Sequence, residues 1–176
     1  MRINKYLAQC GLGSRRKVEE LILENKVQVN GKVINNLAFQ VNEKKDKVTV
    51  ENKEVKPFNE YVYLKLNKPK GYICSAKDEK GRKTIYDLIP DAKGRLFSVG
   101  RLDYNTEGLL LLTNDGDLAY KLTHPNYEIE KEYIVVIEGK IKESECAVLR
   151  AGVIENGKRM PEAKLDVIQV LKDRTR

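Results

Sequence analysis

One loop of the sequence holds the side chains that are best suited to chemistry. It runs Gly100-Arg101-Leu102-Asp103 and follows a short predicted strand, Phe97–Val99. A loop that starts with glycine at a strand end can present the Asp103 carboxylate as a nucleophile or a base, with the Arg101 guanidinium two residues away. An aspartate in a loop more often caps a turn. The loop is therefore a candidate site whose reaction the spacing alone does not specify.

The sequence contains partial matches to metal-binding and cofactor-binding motifs, but each lacks a required residue. Asp103, Asn105 and Glu107 have the spacing of a calcium loop, yet Asn114 stands where the bidentate glutamate belongs. A phosphate loop fails at Arg82, which occupies the position of the required lysine. One histidine, and three cysteines at positions 10, 74 and 146 without a C-x-x-C pair, provide neither a zinc site nor a disulfide framework. We expect no metal and no cofactor, and we expect the cysteines to be small core residues.

A second candidate is a cluster of cations near the N-terminus. Ser14 is a good N-cap, and Arg15, Arg16 and Lys17 follow it, with Lys5 on the preceding predicted helix. Three cations at a helix start oppose the helix dipole, which costs roughly 0.3–1 kcal/mol where they are partly exposed. An anionic partner such as RNA phosphate explains them better than a stabilising role does; a merely solvated basic face is the alternative. Residues 1–57 carry 12 lysines and arginines against 7 acidic residues, in a chain of net charge +7.

The elements around these residues predict two modules. Two short amphipathic helices, over 3–8 and after Ser14, precede strands on either side of Asn30-Gly31, the strongest signal for a two-residue hairpin. A polar stretch over 51–60 that contains Pro57 indicates a linker. Beyond it, short strands alternate with short helices, which favours an α+β fold. We predict a small α/β module at 1–56 and a mixed, largely antiparallel sheet domain with short helices at 57–176. Within the second domain we predict a buried strand over 109–113, a strand over 133–138 and a helix over 142–151.

The first module resembles a known RNA-binding domain. Residues 2–8, 11–16 and 27–32 resemble the S4 RNA-binding domain, in that order and at its usual spacing. The resemblance implies two helices packed on a small bent sheet, with a basic face that contacts the RNA backbone. Such contacts position a protein without reading the RNA sequence. The RNA-binding residues that the resemblance implies are Arg2, Lys5, Ser14, Arg15, Arg16, Lys17 and Lys32.

The second module resembles an enzyme family. Residues 99–116 closely resemble the central motif of pseudouridine synthases of the RsuA/RluB family, and residues 65–71, 118–125 and 130–133 resemble its flanking segments. The resemblance implies isomerisation of a uridine in ribosomal RNA, with Asp103 as the essential carboxylate. It assigns Arg101 to the backbone of a flipped nucleotide or to holding the loop. It assigns Tyr133 to stacking on the target base, with a place in the core as the alternative.

Two features of this resemblance bear on the partner. The Leu-Thr-Asn-Asp-Gly run at 112–116 and the His124-Pro125 pair favour the large-subunit branch of the family. We therefore expect large-subunit ribosomal RNA, or a ribosome assembly intermediate, as the partner. The family continues into a basic segment that supplies a cation near the aspartate, whereas this sequence stops at Arg176 before such a segment. We expect the chain to be a fragment or to be impaired in activity.

Other function classes stay open or are disfavoured at this point. A non-catalytic S4-domain RNA-binding protein is the main alternative, since it would need only the first module. A nucleic-acid glycosidase is disfavoured, because the loop has no second carboxylate that can be assigned. The sequence has no signal peptide, and its apolar runs fall far short of the ~20 residues that a membrane-spanning helix needs. We expect a cytoplasmic protein without a membrane partner.

Overall fold

The computed structural model describes residues 1–58, 60–76, 78–92 and 94–176. The chain forms two compact units, residues 1–129 and 130–176. Short helices and small antiparallel sheets make up both units, which confirms the predicted α+β class. No helix in the described ranges is both long and apolar enough to cross a lipid bilayer.

The N-terminal part of the first unit is a helix pair on a four-stranded antiparallel sheet. Its elements are α1 (Ile3–Gln9), α2 (Arg15–Leu23), β1 (Val27–Val29), β2 (Lys32–Val33), β3 (Val48–Val50) and β4 (Lys53–Glu54). The strand order is β2-β1-β3-β4. The β1–β2 hairpin turns at Asn30 and Gly31, whose φ angles of 51° and 76° are both positive, as a type I′ turn requires. The hairpin predicted from the Asn-Gly pair is confirmed.

One apolar core joins these helices to their sheet. Ile3 and Leu7 on α1, Val18 and Ile22 on α2, and Val27 on β1 are all 0% exposed. Their spacing of four residues along each helix puts them on one face. Full burial of such a side chain stabilises the fold by roughly 1.5–3 kcal/mol. The N-terminal module therefore has a core of its own.

The rest of the first unit is built on a three-stranded antiparallel sheet. Its strands are β5 (Tyr63–Lys68), β6 (Phe97–Val99) and β7 (Gly108–Thr113), with β7 in the centre. The register sets Lys68 opposite Gly108 at one end and Tyr63 opposite Thr113 at the other. Five residue steps separate these ends by about 17 Å. A 3-10 helix (Ile85–Leu88), α3 (Gly116–Thr123) and a second 3-10 helix (Pro125–Tyr127) complete this part.

The central strand β7 is buried on one face only, which corrects the prediction of a buried strand over 109–113. Leu110 and Leu112 are 3% and 1% exposed and pack with Ile85 and Leu96, whereas Leu109 is 68% exposed. Successive side chains of a strand point to opposite faces of its sheet. The four consecutive leucines conceal this alternation: on the other face Leu109 is exposed and Leu111 is only half-buried, although both are hydrophobic.

The second unit contains one helix and two short strand pairs. Helix α4 (Glu143–Arg150) confirms the helix predicted over 142–151; the pairs are β8 (Ile137–Glu138) with β11 (Arg174–Thr175) and β9 (Ile154–Glu155) with β10 (Lys158–Arg159). The strand predicted over 133–138 is confirmed only at its end. In the part of the chain that the structure describes, residues 133–136 pair with no strand, and their exposure is 59–61%. Their β-favouring types are insufficient without a partner strand.

Candidate active site and RNA-binding face

The loop that carries Asp103 connects β6 to β7 at one end of the three-stranded sheet. Gly100 begins it with a φ of 79°, in the left-handed region that glycine enters without strain. The side chains of Arg101 and Asp103 are exposed, and among the described residues neither forms a hydrogen bond or an ion pair. The carboxylate is therefore accessible to a substrate. The Arg101 side chain forms no hydrogen bond or ion pair with the described residues, and its predicted role, at a nucleotide or in holding the loop, stays a prediction.

A buried lysine that was not among the predicted site residues holds the backbone of this loop by hydrogen bonds. Lys68, the last residue of β5, is 0% exposed. Its ammonium donates to the backbone oxygens of Asp103 and Thr106, each at 2.8 Å, and to that of Pro69 at 3.2 Å. A buried charge is tolerated only where hydrogen bonds satisfy it. The loop carbonyls supply those bonds, and in return they are fixed at both ends of the Asp103–Thr106 turn.

Two further contacts attach the same loop to the segment that follows β5. The Gly71 N–H donates to the Tyr104 oxygen at 2.8 Å. The Cys74 thiol donates to the Leu102 oxygen at 3.3 Å, and its sulfur accepts from the Leu102 N–H at 3.4 Å. Cys74 is half-buried, so the expectation that it is only a small core residue is incomplete. Residues 102–106 are thus held by three residues of the 68–74 segment.

This arrangement can hold a carboxylate at a fixed position without engaging its oxygens. The contacts go to the loop backbone, and the exposed Asp103 side chain forms no hydrogen bond with the described residues. Fixed placement of a reacting group lowers the activation free energy of a reaction substantially. The entropy of positioning that group is lost when the protein folds, and not when the reaction occurs. A positioned carboxylate can act as a nucleophile at a sugar carbon or remove a proton from the sugar.

The predicted RNA-binding residues lie on the N-terminal module. Ser14 is the N-cap of α2, as predicted, and its hydroxyl accepts from the Lys17 N–H at 3.2 Å. The Arg15 guanidinium donates to Asn4 Oδ1 at 3.3 Å, and Lys17 is paired with Glu20. The remaining exposed cations of the set are Arg2, Arg16 and Lys32.

Lys5 is bound by a part of the chain outside the N-terminal module. Its Nζ lies 2.7 Å from Oδ1 of Asp117 on α3, and its side chain is 32% exposed. Nearby, Arg95 Nη1 donates to the Gly13 oxygen at 2.7 Å, and the Phe58 N–H donates to the Gln9 oxygen at 3.2 Å. Helix α1 and the segment that joins it to α2 are therefore attached, by polar contacts, to the part of the first unit that holds the three-stranded sheet.

One carboxylate of the first unit has a strongly lowered pKa. Asp78 accepts hydrogen bonds from the guanidinium and the backbone N–H of Arg82, and these hold its pKa at about 2. Its side chain is 7% exposed, whereas the Arg82 side chain is 49% exposed. This pair closes the turn at 78–82, where the sequence came near to a phosphate loop. Arg82 is engaged with a carboxylate there, in keeping with the rejection of that motif.

Tyr133, the predicted stacking residue, belongs to the second unit, where its side chain is 60% exposed. Within that unit no described neighbour buries its ring, so the alternative placement in a core does not hold for the described residues. Its stacking on a target base stays a prediction.

Comparison with known proteins identifies two domain families in the chain. Residues 1–48 match the S4 domain, and residues 62–173 match the family described as RNA pseudouridylate synthase. A solved structure described as a pseudouridylate synthase is similar over 99% of this chain and 75% of its own, with a TM-score of 0.57 and 27% sequence identity.

Curated relatives extend the similarity across nearly the whole chain. An uncharacterized RNA pseudouridine synthase of Aquifex aeolicus is 47% identical over 164 residues, which cover 92% of this chain and 66% of that protein. Ribosomal large subunit pseudouridine synthase B of Bacillus subtilis is 46% identical over 166 residues, covering 93% and 67%. Its namesake in Pseudomonas aeruginosa is 43% identical over 162 residues, covering 89% and 42%. The chain thus spans about two thirds or less of the length of these relatives.

Proposed function

Because the chain belongs to the RNA pseudouridylate synthase family, we propose that it isomerises a uridine of ribosomal RNA to pseudouridine, and that this RNA is that of the large subunit. The observation that carries the proposal is the Asp103 loop: an exposed carboxylate on a backbone fixed by Lys68, Gly71 and Cys74. The names of the Bacillus and Pseudomonas relatives support the large-subunit substrate.

The reaction requires little beyond one positioned carboxylate. The bond between N1 of uracil and C1′ of the ribose breaks, the freed uracil turns, and its C5 joins C1′ while the C5 proton leaves. Asp103 either attacks the sugar and forms a covalent intermediate or removes a proton from the sugar. Nothing is oxidised and no group is lost overall, because N1 of the uracil takes up a proton when C5 releases one. We therefore propose a reaction without a redox cofactor or a metal.

The other site residues act on the nucleotide around the reacting bond. The target uridine must leave its stack, which costs a few kcal/mol and least in a loop. We assign Arg101 to the phosphate backbone of the flipped nucleotide, since its side chain is exposed and forms no hydrogen bond or ion pair with the described residues. We assign Tyr133 to stacking on the uracil, for which its exposed ring is available.

The N-terminal module supplies the sequence-independent part of binding. Its cations contact phosphates and hold the RNA while the second domain acts. The spans that match the two families, 1–48 and 62–173, support a division into an S4 domain at 1–56 and a catalytic domain at 57–176. We propose cytoplasmic ribosomal RNA, free or in a ribosome assembly intermediate, as the partner.

The test measures tritium release from ribosomal RNA labelled at C5 of uracil, because only isomerisation exchanges that proton. Asp103→Asn should abolish release while RNA affinity stays within about tenfold of wild type, since the substitution keeps the side-chain shape. Asp91→Asn, at an exposed aspartate outside the loop, is the control and should leave release unchanged. Release of free uracil would indicate a glycosidase, and RNA binding without any release would indicate a non-catalytic S4 protein.

A further inference from the structure

A large cleft lies within the first unit, between the N-terminal module and the part that holds the three-stranded sheet. Its volume is about 810 Å³. Three of the residues assigned to RNA binding, Lys5, Ser14 and Arg15, line it on one side. Part of the predicted RNA-binding face of the module therefore opens into this cleft.

Exposed aromatic side chains also line the cleft. Phe58, Tyr61 and Tyr120 are 53%, 54% and 51% exposed, and none of the three belongs to either apolar core. The Tyr120 ring contacts His124, with ring centroids 4.5 Å apart, yet about half of the residue stays exposed. An unpaired base can stack on an aromatic ring that is exposed in this way. Such stacking tolerates any base, because each base has a π-face.

The charges of the cleft suit a strand with phosphates on one side. Arg15 and Arg95 line it, and each donates a hydrogen bond to an uncharged oxygen, of Asn4 and of Gly13. Neither forms an ion pair among the described residues, so no carboxylate there neutralises the charge of either guanidinium. Of its four acids, Asp117 is bound by Lys5, and Glu54 is bound by two lysines that lower the pKa of its carboxyl. The cleft thus combines half-exposed aromatic side chains with cations that are not paired with an acid, the combination that binds single-stranded nucleic acids.

We propose that this cleft is a second RNA-binding site, which takes unpaired nucleotides next to the segment held by the N-terminal module. The bases stack on Tyr61 and Tyr120, and the phosphates lie against Arg15 and Arg95. The inference rests on the proposed RNA-binding role of the chain, but not on its catalysis. It assigns to the catalytic domain a part in holding RNA about one sheet length from Asp103.

The experiment measures the affinity of the full chain for a labelled single-stranded oligouridylate of about 12 nucleotides and for an RNA duplex of the same length. Tyr61→Ala and Tyr120→Ala should each weaken binding of the single strand roughly fivefold or more, because stacking is worth about 1–3 kcal/mol per base. Tyr61→Phe and Tyr120→Phe keep the ring and should bind as wild type does. Tyr63→Ala is the matched control. Tyr63 is 55% exposed, and its ring centroid lies 6.3 Å from that of Tyr61, but Tyr63 does not line the cleft.

A second measurement uses the unaltered chain, so that it does not depend on the folding of any variant. Photo-crosslinking with an oligouridylate that carries 4-thiouridine should label peptides containing Tyr61 and Tyr120. The inference is overturned if the chain does not bind the single strand, if the alanine variants bind it as tightly as wild type, or if crosslinks fall only elsewhere. The inference is also overturned if the chain binds the duplex as tightly as the single strand and neither alanine variant changes the affinity for the duplex. A chain that binds through the cleft but releases no tritium would instead contradict the proposed function.

Discussion

Replacing Lys68 by methionine should separate the placement of Asp103 from the stability of the fold. Methionine keeps an unbranched side chain of similar length but donates no hydrogen bond. The carbonyls of Asp103 and Thr106, each 2.8 Å from Lys68 Nζ, lose their donor. A buried acceptor left without a partner costs about 1–3 kcal/mol. Removal of the buried charge offsets part of this cost.

The expected loss of stability is therefore moderate and the expected loss of turnover large. We expect the free energy of unfolding to fall by about 1–3 kcal/mol, which lowers the thermal midpoint by roughly 3–10 °C for a chain of this size. A displacement of about 1 Å at a reacting group can cost on the order of a hundredfold in rate. Tritium release should thus fall about a hundredfold, with RNA affinity unchanged, because Lys68 is 0% exposed and cannot touch RNA.

The control and the second readout make this prediction refutable. Lys65→Met alters an exposed lysine three residues earlier on β5, on the opposite face of the sheet, and should leave release and stability near wild type. Hydrogen exchange of the amides at 103–106 should accelerate in Lys68→Met alone, a readout that needs no turnover. If that exchange is unchanged, or if Lys68→Met isomerises at the wild-type rate, then Lys68 does not position the loop.

Three more predictions concern charge. Arg15→Ala with Arg16→Ala should weaken RNA binding and flatten its salt dependence by ~0.7–0.9 log units per lost phosphate contact; an unaltered slope in titrations at several salt concentrations contradicts a phosphate contact. Asp117→Asn frees the lysine that it binds and should tighten RNA binding at low salt while steepening that slope; weaker binding would mean that the ion pair shapes the RNA site. Because the pKa of Asp78 is lowered to about 2, its ion pair stabilises the fold fully above about pH 4, and this contribution disappears as the pH falls toward 2. Carboxyl NMR titration should show the Asp78 pKa returning toward 3.8 in Arg82→Ala, and a value that stays near 2 assigns the lowering to other groups.

The sequence predicted the features whose cause is local. The turn at Asn30-Gly31 depends on two residues that adopt positive φ, and the cap of α2 depends on Ser14 and the N–H of Lys17. Both causes lie within a few residues of their effect, so both predictions are confirmed. The α+β class follows from the same local patterns.

Contacts between distant residues were not predictable in this way. Lys68 reaches carbonyls 35 and 38 positions along the chain, and Cys74 reaches a backbone 28 positions away. One signal for Lys68 was present: it follows Leu64 and Leu66 at a spacing of two, which puts its side chain on their face of β5. The ion pair of Lys5 with Asp117 joins two surface residues 112 positions apart, and no pattern in the sequence connects them.

The hydrogen bonds that hold the Asp103 loop all go to its main chain. Lys68, Gly71 and Cys74 all bind backbone atoms of residues 102–106, which every amino acid presents alike. The position of the carboxylate therefore depends on residues about thirty positions earlier in the chain. The neighbouring side chains of the loop form none of these hydrogen bonds. The side chains of Tyr104 and Asn105, both exposed, can therefore be substituted while the backbone that carries the reacting group stays in place. One short loop can thus change its surface without moving its carboxylate.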